Sequence, residues 1–161
     1  MLNFQDLYES YSTEVYRFAH WLAGDSSEAE DITSETFVRA WAHNSTIRTE
    51  TLKAYLFTIA RNVYLQQRRK RKHEVVLEND YPDHAPGPHR IVESRLELGR
   101  VQSILQDFPE CDRAAFVLRV QHELPYAEIA RVLGLSLTAT KVKVHRVRKK
   151  LLAFCIDKEV S

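Results

Sequence analysis

The chain has 161 residues, of which 44% are hydrophobic and 28% are charged, and its formal net charge is +1. With only four glycines, this composition excludes a disordered or fibrous protein and is typical of a soluble helical one. The amino-terminal residues lack the basic start and continuous apolar run of a secretory signal, and the apolar stretches are too short to cross a bilayer. We therefore expect a cytoplasmic protein with no membrane insertion.

Two helices are predicted in the amino-terminal quarter of the chain. Aromatic and aliphatic residues recur at helical spacing over 3–23, and Gly24 is a plausible stop. Ser27 and Glu30 stand at the spacing of a capping box, which predicts a second helix over about 27–42. Both segments are amphipathic, so each is expected to bury one face against a neighbour.

A loop, a long helix and a linker are predicted next. Residues 43–50 carry no apolar period and are rich in Asn, Ser and Thr, which favour loops. The third helical period begins at Thr51 and continues into the basic run 68–72. A polar stretch with three prolines follows, so we predict an amino-terminal domain over 1–73 and a flexible linker over 74–92.

The carboxy-terminal part, 93–161, is predicted to be a second small helical domain that ends in a helix-turn-helix. Small Ala130 lies four residues before Gly134, which lets two helices approach and allows the positive φ of a tight turn. Ser136 is the expected N-cap of the last helix. No strand pattern is visible, so the predicted fold class is all-α. The helices are expected over about 91–108, 110–122, 125–133 and 136–154.

Charge is segregated along the sequence. Residues 1–60 carry a net charge of −5, residues 61–73 of +6, residues 74–112 of −6 and residues 113–161 of +6. A basic block in each domain is the pattern expected of a protein that meets a polyanion at two places. The acidic blocks are expected to face either another partner or solvent.

The last predicted helix has the features of a DNA-recognition helix. Its apolar side, which includes Thr140, Val144 and Val147, is expected to face the core. Six cations and no acidic residue lie between 141 and 150, and such like charges repel one another unless a polyanion is bound. A solvated basic helix is the alternative. The candidates for base contacts are Thr138, Lys141, Val142 and His145, and those for phosphate contacts are Lys143, Arg146, Arg148 and Lys149.

Two longer segments resemble a known family. The stretches EAEDITSETFVRAW (28–41) and LKAYLFTIARNVYLQQRRKRK (52–72) resemble the amino-terminal domain of sigma-70 factors, and SILQDFPECDRAAFVLRVQHELPYAEIARVLGLS through HRVRKKL (103–151) resembles their carboxy-terminal domain. The two-domain layout with a short linker resembles the extracytoplasmic-function (ECF) group. Thr140 and Val142 depart from the aliphatic and small polar residues usual in the family, so an unusual promoter sequence is expected.

The resemblance implies roles for the amino-terminal domain. In the family, the face equivalent to the acidic side of the second helix docks on the clamp helices of the largest RNA polymerase subunit. Solvated surface is the alternative for an acidic stripe taken alone. The docking candidates are Asp31, Glu35, Phe37 and Arg39.

The resemblance also places recognition and melting of the promoter −10 element at the 43–50 loop and the following helix. A polar pocket there would offset the cost of unstacking a base. The aromatic residues of this helix, Tyr55, Phe57 and Tyr64, are assigned to the core instead. The −10 candidates are Asn44, Ser45, Thr46, Arg48, Arg61, Asn62, Arg68 and Arg69.

The implied function is that of an alternative sigma factor, which directs the polymerase core enzyme to specific promoters and opens them. The implied partners are core polymerase, promoter DNA and a dedicated anti-sigma factor. The alternatives are a sigma mimic that only sequesters an anti-sigma factor and a stand-alone helix-turn-helix regulator. An enzyme is not expected, because the sequence contains no recognisable catalytic motif. Cys111 and Cys155 lack metal-site spacing, so no metal or cofactor is expected.

Overall fold

In the computed structural model, which describes residues 3–43, 52–77 and 93–160, the chain forms seven α-helices and, within those ranges, no strand. The predicted all-α class is therefore confirmed. The loop candidates Asn44, Ser45, Thr46 and Arg48 lie outside the described residues, as do residues 78–92 of the predicted linker. The helices are α1 (Phe4–Ala23), α2 (Ser26–Ala42), α3 (Leu52–Leu77), α4 (Glu93–Gln106), α5 (Glu110–Val120), α6 (Tyr126–Leu133) and α7 (Leu137–Val160).

The turn between α1 and α2 differs from the predicted capping box. Gly24 ends α1 in the left-handed conformation, with φ of 73°, and its amide donates to the His20 carbonyl at 2.8 Å. Asp25, rather than Ser27, is the N-cap of α2, because its side chain accepts from the Ser27 amide at 2.8 Å. The predicted capping box was therefore wrong, since the N-cap lies two residues before Ser27. The helix itself was predicted correctly.

Helix α3 continues to Leu77, four residues into the segment predicted as a linker. The added residues, EVVL at 74–77, contain no proline or glycine. Nothing in the sequence stops the helix there, since the first proline is Pro82.

Helices α1, α2 and α3 pack together around one apolar core. Its largest fully buried side chains include Phe18, Phe37 and Phe57, and the Phe18 and Phe57 rings meet edge to face at 5.0 Å. Phe57 and Tyr64 are buried and Tyr55 is partly buried against the same core. The core assignment of these aromatic residues is thus confirmed.

A buried carboxylate ties the end of α3 to the start of α2. Glu28 is almost wholly buried, and its Oε2 lies 3.1 Å from Arg71 Nη1 and 3.6 Å from Arg68 Nη2. A carboxylate in such a site requires cationic partners to offset the loss of hydration. Part of the basic run 68–72 therefore serves the fold of the amino-terminal domain.

Helices α6 and α7 form the predicted helix-turn-helix. Gly134 has φ of 66° and ends α6, the Leu135 amide donates to the Ala130 carbonyl, and Ser136 Oγ accepts from the Ala139 amide. Thr140, Val144 and Val147 are buried, as the helical period predicts. The Thr140 hydroxyl is satisfied by the Ser136 carbonyl at 2.8 Å, so this polar residue is accommodated in the core.

The two domains pack against each other, although no pattern in the sequence indicated such a contact. Side chains of α4 and α5 reach the carbonyls at the end of α1: Gln102 donates to His20, Gln106 to Trp21 and Leu22, and Arg113 to Leu22. Carbonyls at a helix C-terminus have no partner within the helix. The carboxy-terminal domain therefore caps the first helix of the amino-terminal domain.

His122, in the turn before α6, enters the amino-terminal core. Its ring centroid lies 4.6 Å from that of Phe57 and 6.0 Å from that of Phe18, and its carbonyl accepts from Lys53 Nζ. Burial lowers the pKa of His122 to about 4, with Glu14 opposing the shift and Lys53 and Arg17 adding to it. The imidazole is therefore neutral in the folded protein at neutral pH.

Replacing Arg113 tests the importance of this packing. Arg113 is only 6% exposed and donates to the carbonyls of Phe108 and Leu22 and to the Tyr64 hydroxyl. Arg113→Met would remove these donors and leave the Phe108 carbonyl and the Tyr64 hydroxyl without this partner, and we expect the free energy of unfolding to fall by about 2 to 3 kcal/mol in urea titrations. Arg131→Met, at an exposed position of α6, is the control. Equal urea midpoints for the two variants would contradict the role given to Arg113.

The pKa of His122 predicts how stability depends on pH. The unfolded chain binds a proton at this residue below pH 6.5 and the folded chain only near pH 4, so the contribution of His122 is complete above pH 6.5 and is lost as the pH falls toward 4. The loss is on the order of 1 kcal/mol per pH unit. Urea titrations at pH 7, 6 and 5 should show the wild type losing more stability than His122→Gln. Parallel losses would show that His122 titrates normally.

Candidate nucleic-acid interface

The exposed side of α7 is a continuous cationic surface. The structure places Thr138, Lys141, Val142, His145 and Arg146 in solvent, and Val142 is a large apolar residue left 43% exposed. Arg148 and Lys149 are also exposed. Seven of the eight residues predicted to contact DNA on this helix thus share solvent-exposed positions, and the exposed valine offers a contact for a thymine methyl group.

Lys143 is the exception, because it is held in an ion pair within the domain. Its Nζ lies 3.0 Å from Oδ1 of Asp112, a buried residue in the first turn of α5. A buried carboxylate is costly unless it is paired, so Lys143 is held against the domain and does not belong to the exposed cationic surface. The pairing depends on the packing of α5 on α7, which sequence spacing does not reveal.

Three of the −10 candidates lie on α3 and differ in their surroundings: Asn62, Arg68 and Arg69. Asn62 and Arg69 are exposed. The guanidinium of Arg68 donates to the Ala23 carbonyl at 3.2 Å, approaches Glu28 and lies 5.1 Å from the centre of the Tyr64 ring. Arg68 therefore contributes to the fold of the amino-terminal domain, although its side chain remains 42% exposed.

The Arg61 side chain is hydrogen-bonded to the carboxy-terminal domain. Its Nε and Nη2 donate to the two carboxylate oxygens of Glu110 at 2.7 and 3.0 Å, and Nη2 also contacts Cys111 Sγ at 3.2 Å. Burial lowers the pKa of Arg61, but the hydrogen bond and charge of Glu110 outweigh this effect and raise it. The guanidinium stays charged and pairs in the two-pronged geometry that arginine uses for carboxylates and phosphates.

A groove of about 500 Å³ lies between α2 and α3. Glu35 pairs with Arg39 at 2.8 Å, and Arg39 also donates to Gln66 across the groove. The wall thus combines acidic, amide and apolar groups that a helical partner could contact. It is lined by Asp31, Ser34, Glu35, Val38, Arg39, Val63, Gln66, Gln67 and Lys70.

Phe37 does not line this groove, and its assignment as a docking residue was wrong. It is 1% exposed and its ring packs edge to face on Tyr8 at 5.1 Å. Val38, which the prediction did not include, is 61% exposed and lies in the groove wall. The sequence spacing could have indicated this exposure. Val38 stands seven residues after Asp31 and therefore lies on the same face of the helix.

An aromatic cluster lies near the end of α2. Phe4 contacts Trp41 edge to face at 5.6 Å and stacks on Tyr8 at 6.2 Å, and all three rings are partly exposed. Exposed rings of this kind can stack on unpaired bases. The prediction had counted these residues only as part of a helical period.

The described residues hold no group of three side chains able to bind a metal ion. In the same ranges no helix is both long and apolar enough to span a bilayer.

Comparison with known proteins assigns the two domains. Residues 7–74 match the family described as Sigma-70 region 2, and residues 98–151 match Sigma-70, region 4. The chain belongs to the sigma-70 family. Region 2 corresponds to α1 through α3, and region 4 runs from within α4 into α7.

Relatives place the chain in the ECF group. It is 32% identical over 156 residues to the ECF RNA polymerase sigma factor SigE of Mycolicibacterium smegmatis, covering 94% of this chain but 61% of that protein. It is 31% identical over 141 residues to the ECF sigma factor EcfG of Rhodopseudomonas palustris, covering 84% of this chain and 76% of the relative. The predicted family, and with it a transcription initiation factor rather than an enzyme, is confirmed.

A solved structure shares the arrangement of both domains. The sigma factor RpoE of Bartonella quintana, in complex with the anti-sigma factor NepR, superposes with a TM-score of 0.80 and 28% sequence identity, covering 92% of this chain and 93% of RpoE. A superposition of that extent includes both domains. The packing of α1 and α3 on α5 and α6 is therefore not peculiar to this chain.

Arg146 is exposed on α7, whereas Lys143 is paired with Asp112. Replacing each by alanine should therefore have a different effect. Arg146→Ala should weaken binding to duplex DNA and lower the slope of log affinity against log salt by about 1, with little change in stability. Lys143→Ala should leave Asp112 unpaired, lower the free energy of unfolding by about 1 to 3 kcal/mol and change the salt slope little. Fluorescence anisotropy at several salt concentrations and urea titration measure the two quantities. The assignment fails if Lys143→Ala changes the salt slope as much as Arg146→Ala does.

Proposed function

We propose that this chain is an alternative sigma factor that works in the cytoplasm and uses three separate surfaces to bring core RNA polymerase to its promoters. The observation that carries the proposal is that the two sigma domains present different exposed chemistry. The groove between α2 and α3 is lined by two acidic and two basic residues together with the exposed Val38, whereas the exposed face of α7 is cationic. A protein partner and DNA can therefore be bound at the same time.

The groove is the proposed docking site for the clamp helices of the largest polymerase subunit. Val38 supplies an exposed apolar contact in the same groove wall as the charged residues Asp31 and Glu35. An apolar centre with a polar rim is the usual composition of a protein interface. Val38 thus takes the place that had been given to Phe37.

The exposed face of α7 is proposed to bind the −35 element in the major groove. Thr138, Lys141, Val142 and His145 would contact base edges, and the other cations would contact phosphates. The phosphate contacts are assigned to Arg146, Arg148 and Lys149.

The −10 element is proposed to contact the amino-terminal domain along α3 and the segment that precedes it. Asn62 and Arg69 are exposed on α3 and available to single-stranded DNA. Arg61 belongs to the same surface but is paired with Glu110 in this conformation. The segment is proposed to contribute Asn44, Ser45, Thr46 and Arg48.

An anti-sigma factor is the proposed regulatory partner. RpoE of Bartonella quintana, whose domains superpose on those of this chain, was solved in complex with one. Retention of both the groove and the cationic face favours an active factor over a sigma mimic, which needs neither surface to sequester a partner. The polymerase-docking groove disfavours a stand-alone regulator for the same reason.

Reconstituted transcription with bacterial core polymerase and a library of random promoters tests the proposal. We expect starts downstream of a shared two-part motif. Asp31→Arg with Val38→Glu reverses one charge in the groove and places a negative charge where the partner would make an apolar contact, and we expect core binding to weaken about tenfold to a hundredfold. Both residues are exposed, so the fold should be retained.

The control is Glu30→Arg, an exposed position on the same helix that does not line the groove. It should transcribe as the wild type does. If core polymerase remains silent with a folded wild-type protein, the chain is not an initiation factor and the mimic becomes the better hypothesis. Equal activity of the control and the double variant would exclude the groove as the docking site.

A further inference from the structure

Tyr126, the first residue of α6, contacts two cations that come from the neighbouring helices. The guanidinium carbon of Arg119, in the last turn of α5, is 4.5 Å from the centre of the Tyr126 ring, and Lys141 Nζ of α7 is 5.8 Å from it. Both distances are within the range over which a cation is attracted to an aromatic ring. The ring therefore joins α5 and α6 to the DNA-recognition helix.

The Tyr126 ring is held in place by the domain rather than by Lys141. It is partly buried and packs against the apolar core. Arg119, which approaches it at the shorter distance, donates from Nη1 to the Leu124 carbonyl at 3.1 Å. A ring held by the core and by an anchored guanidinium has little freedom to move. Lys141 is therefore the partner that this contact orders.

Lys141 differs from the other base-contact candidates on α7. Thr138, Val142 and His145 are exposed, as Lys141 is. In the part of the chain that the structure describes, the contact with Tyr126 is the only one that ties the polar end of any of these four side chains to another helix. Lys141 forms no ion pair with any other described residue. Its ammonium group is thus ordered and still able to donate to DNA.

The order at Lys141 affects DNA binding because lysine is a flexible side chain. Its ammonium group stands on a four-carbon stem, and fixing such a side chain on binding lowers affinity. A cation–ring contact at an exposed site offsets part of this cost, equivalent to about twofold to fivefold in affinity. An ammonium group has donors only, and guanine O6 and N7 are the major-groove acceptors that lysine most often contacts. The base pair that benefits is therefore expected to contain guanine.

We propose that Tyr126 is a positioning residue that sets specificity in the −35 element, by holding Lys141 where its ammonium group contacts a guanine. The inference rests on the proposed binding of the −35 element by α7, and it extends the determinants of specificity to α6. Tyr126 acts through Lys141 and makes no base contact of its own. Arg119 keeps the ring in place.

Tyr126→Leu removes the ring but keeps an apolar side chain, and Tyr126→Phe is the matched control, because it keeps the ring and loses only the hydroxyl. Fluorescence anisotropy measures affinity for a duplex selected from random sequence by the purified full-length protein, and for duplexes in which each base pair of the site is replaced in turn. Tyr126→Leu should lose about twofold to fivefold in affinity for the selected duplex, and its preference should fall at a single base pair. Tyr126→Phe should bind as the wild type does.

A double variant shows whether the effect passes through Lys141. Lys141→Met should lower the preference at the same base pair about fivefold to a hundredfold. Tyr126→Leu added to Lys141→Met should then change affinity no further, because substitutions that act through one contact are not additive. A residue that only stabilised the domain would lower affinity equally with or without Lys141. Urea titration of each variant measures stability separately.

The inference fails if Tyr126→Phe loses as much affinity as Tyr126→Leu, since the hydroxyl would then contact DNA directly. It also fails if Tyr126→Leu leaves affinity unchanged, if it lowers affinity as much beside Lys141→Met as alone, or if the purified protein selects no duplex. Failure of the proposed function is distinguishable, because the duplex is selected without polymerase. Core polymerase would then yield no transcripts, while the coupling between Tyr126 and Lys141 is still measured.

Discussion

The carbonyl groups at the end of α1 are the constraint on which the arrangement of the molecule depends. A helix leaves its last carbonyls without internal partners, and here Arg68 of α3, Gln102 and Gln106 of α4, and Arg113 of α5 donate to them. The two arginines also place positive charge at the negative end of the helix dipole. The C-terminal end of α1 thereby holds α3 in place within the amino-terminal domain. It also holds the carboxy-terminal domain against the amino-terminal domain.

The acidic blocks of the sequence have a structural role that net charge conceals. Glu28, Glu110 and Asp112 are each largely buried and each is paired with a cation, Arg71, Arg61 and Lys143 respectively. Each pair removes one cation from the basic blocks. The cations that remain exposed are concentrated on α7 and at the end of α3, where DNA is proposed to bind.

The sequence was sufficient for elements governed by local rules and insufficient for those governed by tertiary contact. Apolar periods predicted the helices, and Gly134 with Ser136 predicted the helix-turn-helix, because turn and cap chemistry acts within a few residues. The ion pairs of Lys143 with Asp112 and of Arg68 with Glu28 were not predicted, because the partners are about 30 to 40 positions distant along the chain. Phe37 was misplaced because the family resemblance was followed in place of its position on the helix. The packing of the two domains against each other produces no periodic pattern in the sequence, so it could not be predicted.

The shared cap on α1 limits how freely these domains can be exchanged between relatives. A hybrid factor that joined this amino-terminal domain to the recognition domain of another family member would acquire a new promoter specificity, but it would lose the donors now supplied by Gln102, Gln106 and Arg113. A β-carbon at Gly24 would lie 3.4 Å from the Gln106 amide nitrogen, so a side chain at this position would be in van der Waals contact with the carboxy-terminal domain. Modular redesign of such a factor therefore has to carry the contact surface of both domains together with the recognition helix.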